Sequence, residues 1–187
     1  MKKLLLAAVL ALAAVAMVVT VATAKNGNGH RGNGGFHAKL DGYQEVPEAI
    51  STAARGKLKV KVSGETVQYR LRYSGFTGAV NAAHIHFGRP AVTGGVIAFL
   101  CGGGDKPACP ANAGEVSGTI DAADVLGPAD QGIDPGEFDE FVAALKAGAT
   151  YANVHTPQYE TGEIRGHIGK GKFGGFGFGR GHDKDRD

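Results

Sequence analysis

The sequence has almost no excess of basic over acidic residues, only two cysteines and no second long apolar run. Its 20 Lys and Arg residues are nearly matched by 18 Asp and Glu residues, and over residues 36–168 the acidic side chains outnumber the basic ones. Because nucleic-acid affinity depends on neutralising phosphates with Lys and Arg, we expect no nucleic-acid partner. The one long apolar run is N-terminal, so no later segment is predicted to span a membrane.

The N-terminal run is typical of a signal peptide. Lys2 and Lys3 precede an apolar stretch over residues 4–21, and Ala22-Thr23-Ala24 has the small-x-small pattern of a cleavage site. We therefore predict a signal peptide over residues 1–24 and a secreted or periplasmic mature protein, with no stable membrane insertion after cleavage. The alternative is a retained anchor, since the run approaches the ~20 residues that cross a bilayer.

The mature chain is predicted to contain one domain between two disordered flanks. Residues 25–35 form a Gly- and Asn-rich linker without aliphatic side chains, and residues 169–187 form a tail of Gly, Phe and charged residues. Neither flank can bury enough apolar surface to offset the entropy of ordering it. Residues 36–168 are long enough to bury a hydrophobic core, and we place the domain there.

The two cysteines lie eight positions apart, at Cys101 and Cys109. In an oxidising compartment such a pair most simply forms a disulfide, and we predict one on an exposed loop. A redox-active or metal-binding thiol pair is the alternative, although the spacing matches no CxxC motif.

Alternating apolar and polar residues predict an all-β domain. The alternation runs through residues 57–62 and 67–73 on both sides of the turn at Ser63-Gly64-Glu65, which indicates a β-hairpin with one buried face. Further strands are predicted at residues 37–42, 79–87, 95–100, 115–120, 150–155 and 163–168. Many short strands are typical of an antiparallel β-sandwich or Greek-key barrel, either immunoglobulin-like or superoxide-dismutase-like.

One short helix is predicted within the β domain. Asp134 is placed as its N-cap, Pro135 as its first residue and Glu137 as the partner in a capping box. An apolar stripe then follows at helical spacing, and Gly148 ends the helix.

Histidines on two predicted strands are the candidate metal ligands. His84 and His86 lie two positions apart, so their side chains project from the same face of a strand. His155 directly follows the core residue Val154, so its side chain projects from the face away from the core. Three such imidazoles can converge on one metal ion, and we expect them on the outer face of the sheet. Asn153, Glu163 and Arg165 are predicted on that face as well, because the apolar residues next to them, Val154 and Ile164, take the core face.

Other chemistry is poorly supported. The serines lack a GxSxG setting, and no glycine-rich phosphate loop follows a strand and opens a helix. The sequence therefore gives no catalytic residues, and we expect a non-enzymatic protein.

Four segments resemble the CHRD (chordin-type) domain family. They are, in order along the chain, Leu40-Asp41-Gly42-Tyr43-Gln44-Glu45-Val46-Pro47, Ala82-Ala83-His84-Ile85-His86, Tyr151-Ala152-Asn153-Val154-His155-Thr156 and Gly162-Glu163-Ile164-Arg165-Gly166. The resemblance covers residues 36–168. It departs from the family pattern at Glu48, where a second proline is usual. It implies a secreted β-sandwich or barrel, as in bacterial exported proteins, and no defined activity.

The arrangement of His84, His86 and His155 is also similar to the copper ligands of copper,zinc superoxide dismutases, although a zinc-ligand loop has no counterpart. This likeness strengthens the case for a metal site at the three histidines, with Asn153, Glu163, Arg165 and Glu45 around them. Copper is favoured over zinc, because imidazole ligands outside the cytoplasm suit it. Three functions remain open: a metal-binding exported domain, a structural or adhesive module for a protein or extracellular partner, and a dismutase-like enzyme. In the second, the histidines only form a polar network that ties strands together.

Overall fold

A computed structural model of the protein describes residues 35–171, which form nine β-strands, one α-helix and three short 3-10 segments. The strands are β1 (Phe36–Asp41), β2 (Arg55–Ser63), β3 (Thr66–Ser74), β4 (Ala82–Phe87), β5 (Val96–Cys101), β6 (Gly114–Ile120), β7 (Thr150–Thr156), β8 (Tyr159–His167) and β9 (Gly169–Lys170). The α-helix, α1, is Phe138–Ala147, and the 3-10 segments are Gly42–Gln44, Ala122–Asp124 and Ala129–Gln131.

The β2–β3 hairpin shows why these residues form strands. Leu58 pairs with Leu71 and Val60 with Tyr69, and all four side chains are buried. The Lys and Arg residues between them point to the opposite face, so the period-two pattern of the sequence matches the pleat. The predicted hairpin is therefore confirmed.

The strands form one antiparallel sheet that curls into a nearly closed barrel. Its order is β5-β4-β7-β8-β1-β2-β3-β6, with β9 beside β1. One residue pair, Asp41 with Arg165, joins β1 to β8, so the sheet consists of two halves that meet at a narrow corner. The predicted all-β sandwich or barrel with one short helix is confirmed.

The core lies between the two halves of the sheet. Ile85, Val154 and Ile164 from one half and Leu40 and Leu71 from the other are fully or almost fully buried. The Tyr69 hydroxyl on β3 donates a 2.7 Å hydrogen bond to the Leu100 carbonyl on β5, which satisfies the phenol inside the apolar interior.

Helix α1 begins later than the sequence suggests. It starts at Phe138 instead of Pro135, and Glu137 is its N-cap residue. The Glu137 carboxylate accepts a 2.7 Å hydrogen bond from the Asp134 backbone N–H, but this closes a turn ahead of the helix. The predicted C-terminus is confirmed, because Gly148 follows the helix in the left-handed conformation with φ 66°.

Cys101 and Cys109 form the predicted disulfide. The loop that it closes is largely exposed, as predicted, but the bridge itself is not, because Cys101 is the last residue of β5 and is fully buried in the core. Cys109 is partly buried against the same core, so the bridge fastens the segment after β5 to the hydrophobic interior.

The ends of the described region bear on the predicted domain limits. Gly169 and Lys170 pair with β1 through Phe36 and His37, so the predicted disordered tail is wrong for these two residues. The predicted signal peptide, nearly all of the linker, and the tail from residue 172 onward lie outside the described residues. Among residues 35–171, none of the helices has the length and apolar character needed to cross a bilayer.

Candidate metal centre

Neighbouring strands β4 and β7 carry the three histidines on one face. In the antiparallel register His84 lies opposite Asn153, His86 opposite Tyr151 and Ala82 opposite His155. The alternate pairs, Ala83 with Val154 and Ile85 with Ala152, fill the core on the other face. Because these apolar side chains occupy the core face, the histidine side chains project from the opposite face of the two strands.

His84, His86 and His155, here called the histidine cluster, lie close enough together to share one ion. Each offers a ring nitrogen, and these three nitrogens all lie within 4.8 Å of one another. His84 Nδ1 and His155 Nε2 are 3.0 Å apart. Two atoms that each lie about 2.0–2.1 Å from one metal are separated by about this distance when they occupy adjacent coordination positions.

Backbone carbonyls fix the orientation of two of the rings. His86 Nδ1 lies 3.0 Å from the Gly94 carbonyl, and His155 Nδ1 lies 2.9 Å from the Glu160 carbonyl. A carbonyl only accepts, so both Nδ1 atoms carry the proton and both Nε2 atoms hold a lone pair in the neutral rings. This outer hydrogen bond is the arrangement by which proteins orient a metal-ligating histidine.

The two Nε2 lone pairs differ in how well the surrounding protein satisfies them. His86 Nε2 is buried without a hydrogen-bond partner. His155 Nε2 lies 2.8 Å from Asn153 Oδ1, and that oxygen is oriented by the Asn153 amide, whose Nδ2 donates to the Thr161 carbonyl at 3.2 Å. In the neutral His155 ring Nε2 therefore faces this acceptor, and its available donor is His84 Nδ1–H at 3.0 Å, a contact that a shared metal ion would replace.

The cluster is buried, which differs from the exposed outer face predicted from the sequence. His86 and His155 are each 8% exposed, and His84 is partly buried. Burial, followed by the nearby His155 and His86, lowers the pKa of His84 from 6.5 to about 3. Burial also lowers the pKa of His86 to about 4 and lowers that of His155. The three rings are therefore neutral near pH 7, the form that binds metals.

The segment from Gly88 to Gly95 covers part of the cluster. The Tyr151 ring stacks on His86 with centroids 4.7 Å apart, and its hydroxyl exchanges hydrogen bonds with the Gly94 backbone. The Arg165 guanidinium lies 3.4 Å from the Tyr151 ring centroid and donates to the Arg89 and Val92 carbonyls. The predicted site residue Arg165 thus anchors the covering segment.

Glu163 binds two threonines beside the cluster. Its Oε1 accepts a 2.8 Å hydrogen bond from Thr52, and its Oε2 accepts a 2.8 Å hydrogen bond from Thr156. The carboxylate is 2% exposed and ties the segment before β2 to strands β7 and β8. Its contacts are those of a strand-linking polar group.

Glu45 lies near the cluster on the chain segment after β1. It is 7% exposed, and its Oε1 is buried without a hydrogen-bond partner. Burial raises its pKa to about 7, although the positive charge of Arg165 and a backbone hydrogen bond at Val46 oppose the rise. A Cβ at Gly162 would lie 2.6 Å from both Glu45 Oε1 and Asn153 Nδ2, so only glycine fits between them.

Sequence reasoning missed part of this site. Alternation in the sequence places Tyr151 on the same strand face as Asn153 and His155, but it was not predicted as a site residue. The carbonyls of Gly94 and Glu160 act through the backbone, which leaves no side-chain signal in the sequence. The burial was missed because alternation along a strand does not show that the segment Gly88–Gly95 folds back over the cluster.

The comparison with family models decides the identity. The model described as the CHRD domain matches residues 36–168, which is most of the chain and includes the histidine cluster. The chain belongs to the CHRD domain family. No curated protein sequence and no solved structure is significantly similar to it. Within this CHRD domain, the match coincides with the domain limits expected from the sequence, and the disulfide lies inside it.

Proposed function

We propose that this CHRD-domain protein binds one transition-metal ion through His84, His86 and His155. The observation that carries the proposal is the convergence of three ring nitrogens within 4.8 Å, with the Nε2 of His86 buried and unpartnered. The second property is unfavourable for a purely structural network, because an unsatisfied buried polar atom costs about 1–3 kcal/mol. A bound ion removes that cost.

Copper is the ion that the donor set fits best. Imidazole nitrogens suit copper and zinc, and among divalent first-row metals copper binds such sites most tightly. The neutral rings need no proton release before they bind near pH 7. Asn153 Oδ1, beside His155 Nε2, is a further oxygen donor in reach of the same space.

We also propose that the protein is exported through its N-terminal segment. The disulfide supports an oxidising compartment, since cytosolic thiols are normally kept reduced. Mass spectrometry of protein from the periplasm or medium should give a mature N-terminus at Lys25. An intact Met1 in a membrane fraction would replace export with anchoring.

Metal binding is tested on the mature protein without an affinity tag. Copper at 100 times its dissociation constant should raise the free energy of unfolding by about 2.7 kcal/mol, measured as a higher melting temperature. His86→Gln and His84→Asn should abolish the increase. The control His37→Gln changes a histidine on β1 outside the cluster and should keep it.

The outcomes separate the competing functions. No shift with copper or zinc, or equal shifts in His86→Gln and the unaltered protein, would favour the polar-network alternative, which the Glu163 contacts support. If copper binds, the rate at which superoxide disappears is measured with the copper-loaded protein present. A dismutase-like enzyme should raise this rate, and a protein that only holds the metal should not.

A further inference from the structure

Phe99 is an apolar side chain on the sheet face that carries the histidine cluster. It lies on β5 directly opposite His84, while its neighbours Ala98 and Leu100 are fully buried. The Phe99 ring itself is only partly buried and is not a member of the hydrophobic core. Core packing therefore does not account for an aromatic residue at this position.

Phe99 contacts the one histidine of the cluster that has no carbonyl partner. Carbonyls orient His86 and His155, but no backbone carbonyl among residues 35–171 accepts a hydrogen bond from His84. The Phe99 ring meets the His84 ring edge-on, with centroids 4.6 Å apart and 70° between the planes. From β7, on the other side of β4, the His155 ring lies 4.7 Å from that of His84. His84 is thus held between these two rings.

The orientation of the His84 ring decides which of its atoms faces the cluster. Its Nδ1 lies 3.0 Å from His155 Nε2. A half-turn about the Cβ–Cγ bond would bring the ring carbon Cδ2 to this place, and that carbon has no lone pair for a metal. Because this torsion has two broad minima, the ring needs a neighbour that blocks the turn. Phe99 is that neighbour on the β5 side.

The loop closed by the disulfide, residues 101–109, rests on Phe99. An added Cβ at Gly103 would lie only 2.2–2.6 Å from three atoms of the Phe99 ring, so the loop backbone lies directly against that ring. Lys106 anchors the same loop, because its Nζ lies 2.6 Å from a carboxylate oxygen of Asp105 and of Asp124. The position of the Phe99 ring is therefore set by the loop as well as by β5.

We propose that Phe99 is a positioning residue for His84, and that the disulfide loop holds Phe99 in place through Gly103. This inference rests on the metal site proposed above, and it accounts for the fixed orientation of the histidine that has no carbonyl partner. A cavity of about 230 Å³ borders Phe99 and Gly104. Because the ring has room to move when the loop changes, we expect variants of the loop to fold.

The first measurement is an NMR spectrum of the histidine rings in the metal-free, ¹⁵N-labelled mature protein at pH 7. The unaltered protein should give one set of His84 ring signals with the proton on Nδ1, because that nitrogen donates to His155. In Phe99→Ala the ring can turn, and the signals should average between the two neutral tautomers. Leu126→Ala shortens an exposed apolar side chain that lines the same cavity, and it should leave the His84 signals unchanged.

The second measurement is copper affinity, determined by competition with a chelator. Phe99→Ala and Gly103→Ala should bind copper at least about tenfold more weakly, a loss typical of removing a group that orients a ligating histidine. Gly104→Ala is the matched control in the same loop. Gly104 has φ 60°, so alanine should lower the melting temperature. Its Cβ would lie 3.8 Å from the Phe99 ring, an ordinary contact, and copper affinity should stay within about twofold.

The outcomes separate the role of Phe99 from metal binding itself. Unchanged His84 signals in Phe99→Ala would overturn the role of Phe99, and equal losses of copper affinity in Gly103→Ala and Gly104→Ala would overturn that of the loop. If the unaltered protein bound neither copper nor zinc, the proposed function would fail. The NMR comparison of the metal-free proteins would still decide whether Phe99 positions His84.

Discussion

At the scale of single residues, Glu163 links the segment before β2 to strands β7 and β8. Replacing it with alanine would leave the partly buried hydroxyl of Thr52 and the buried hydroxyl of Thr156 without their acceptor. We expect Glu163→Ala to lower the free energy of unfolding by about 2–4 kcal/mol, measured by urea denaturation. Glu48→Ala removes an exposed carboxylate and should change it by less than about 0.5 kcal/mol. Equal effects would contradict this role of Glu163.

The histidine cluster predicts how stability depends on pH in the metal-free protein. The folded-state pKa values of His84 and His86 are about 3 and about 4, below the value near 6.5 in an unfolded chain. Below pH 6.5 the unfolded chain therefore binds more protons, and the free energy of unfolding falls as the pH is lowered toward 4. His84→Asn should flatten this fall, measured by urea denaturation from pH 4 to 8 with a chelator present.

Glu45 should act in the opposite direction. Its pKa is raised to about 7 in the folded protein, so its contribution to stability is present below about pH 4.5 and is lost as the pH rises to 7. Glu45→Gln should therefore make the unfolding free energy rise more steeply with pH than in the unaltered protein. A parallel pH profile would show that this carboxyl titrates normally.

At the scale of elements, the end of helix α1 depends on one glycine. Gly148 has φ 66°, and its N–H binds the carbonyls of Ala144 and Leu145. A Cβ there would lie 3.6 Å from His167 Nε2, an ordinary contact, so alanine is disfavoured by the backbone conformation alone. We expect Gly148→Ala to lower the free energy of unfolding by about 1–2 kcal/mol.

Gly169→Ala is the control for this substitution. Gly169 lies on β9, has no atom near its added Cβ and does not need the left-handed conformation. The free energy of unfolding of the Gly169→Ala variant should stay within about 0.5 kcal/mol of that of the unaltered protein. If both variants lost the same stability, the cap would not be the cause.

The elements also show how far the sequence could predict this structure. Strands such as β2 and β3 follow from period-two alternation, because one face of each is buried and the other is solvated. The predicted start of α1 was wrong, because the residues of the expected capping box form a turn that precedes the helix. The buried polar face of β7 was unpredictable from alternation, since Gly88–Gly95 and the Thr52 segment cover it from far along the chain.

At the scale of the whole molecule, the disulfide holds the chain segment after β5 to the core. Closing the short loop between Cys101 and Cys109 restricts the unfolded chain, which stabilises the fold by about 2–3 kcal/mol. We expect Cys101→Ala with Cys109→Ala to lose this amount in urea denaturation. Adding reductant should destabilise the unaltered protein and leave the double variant unchanged. A reductant effect on both would point to a cause other than the bridge.

The strand order has a consequence for the speed of folding. The β2–β3 and β7–β8 hairpins are local in the chain, but His84 and His155, on paired strands, are 71 residues apart. Closing such long loops is entropically costly, and folds dominated by distant strand pairings fold in milliseconds to seconds. We expect the hairpins to form early and β4 to dock on β7 late. The three imidazoles then meet only as folding finishes, so a metal held by them would mark chains that have completed it.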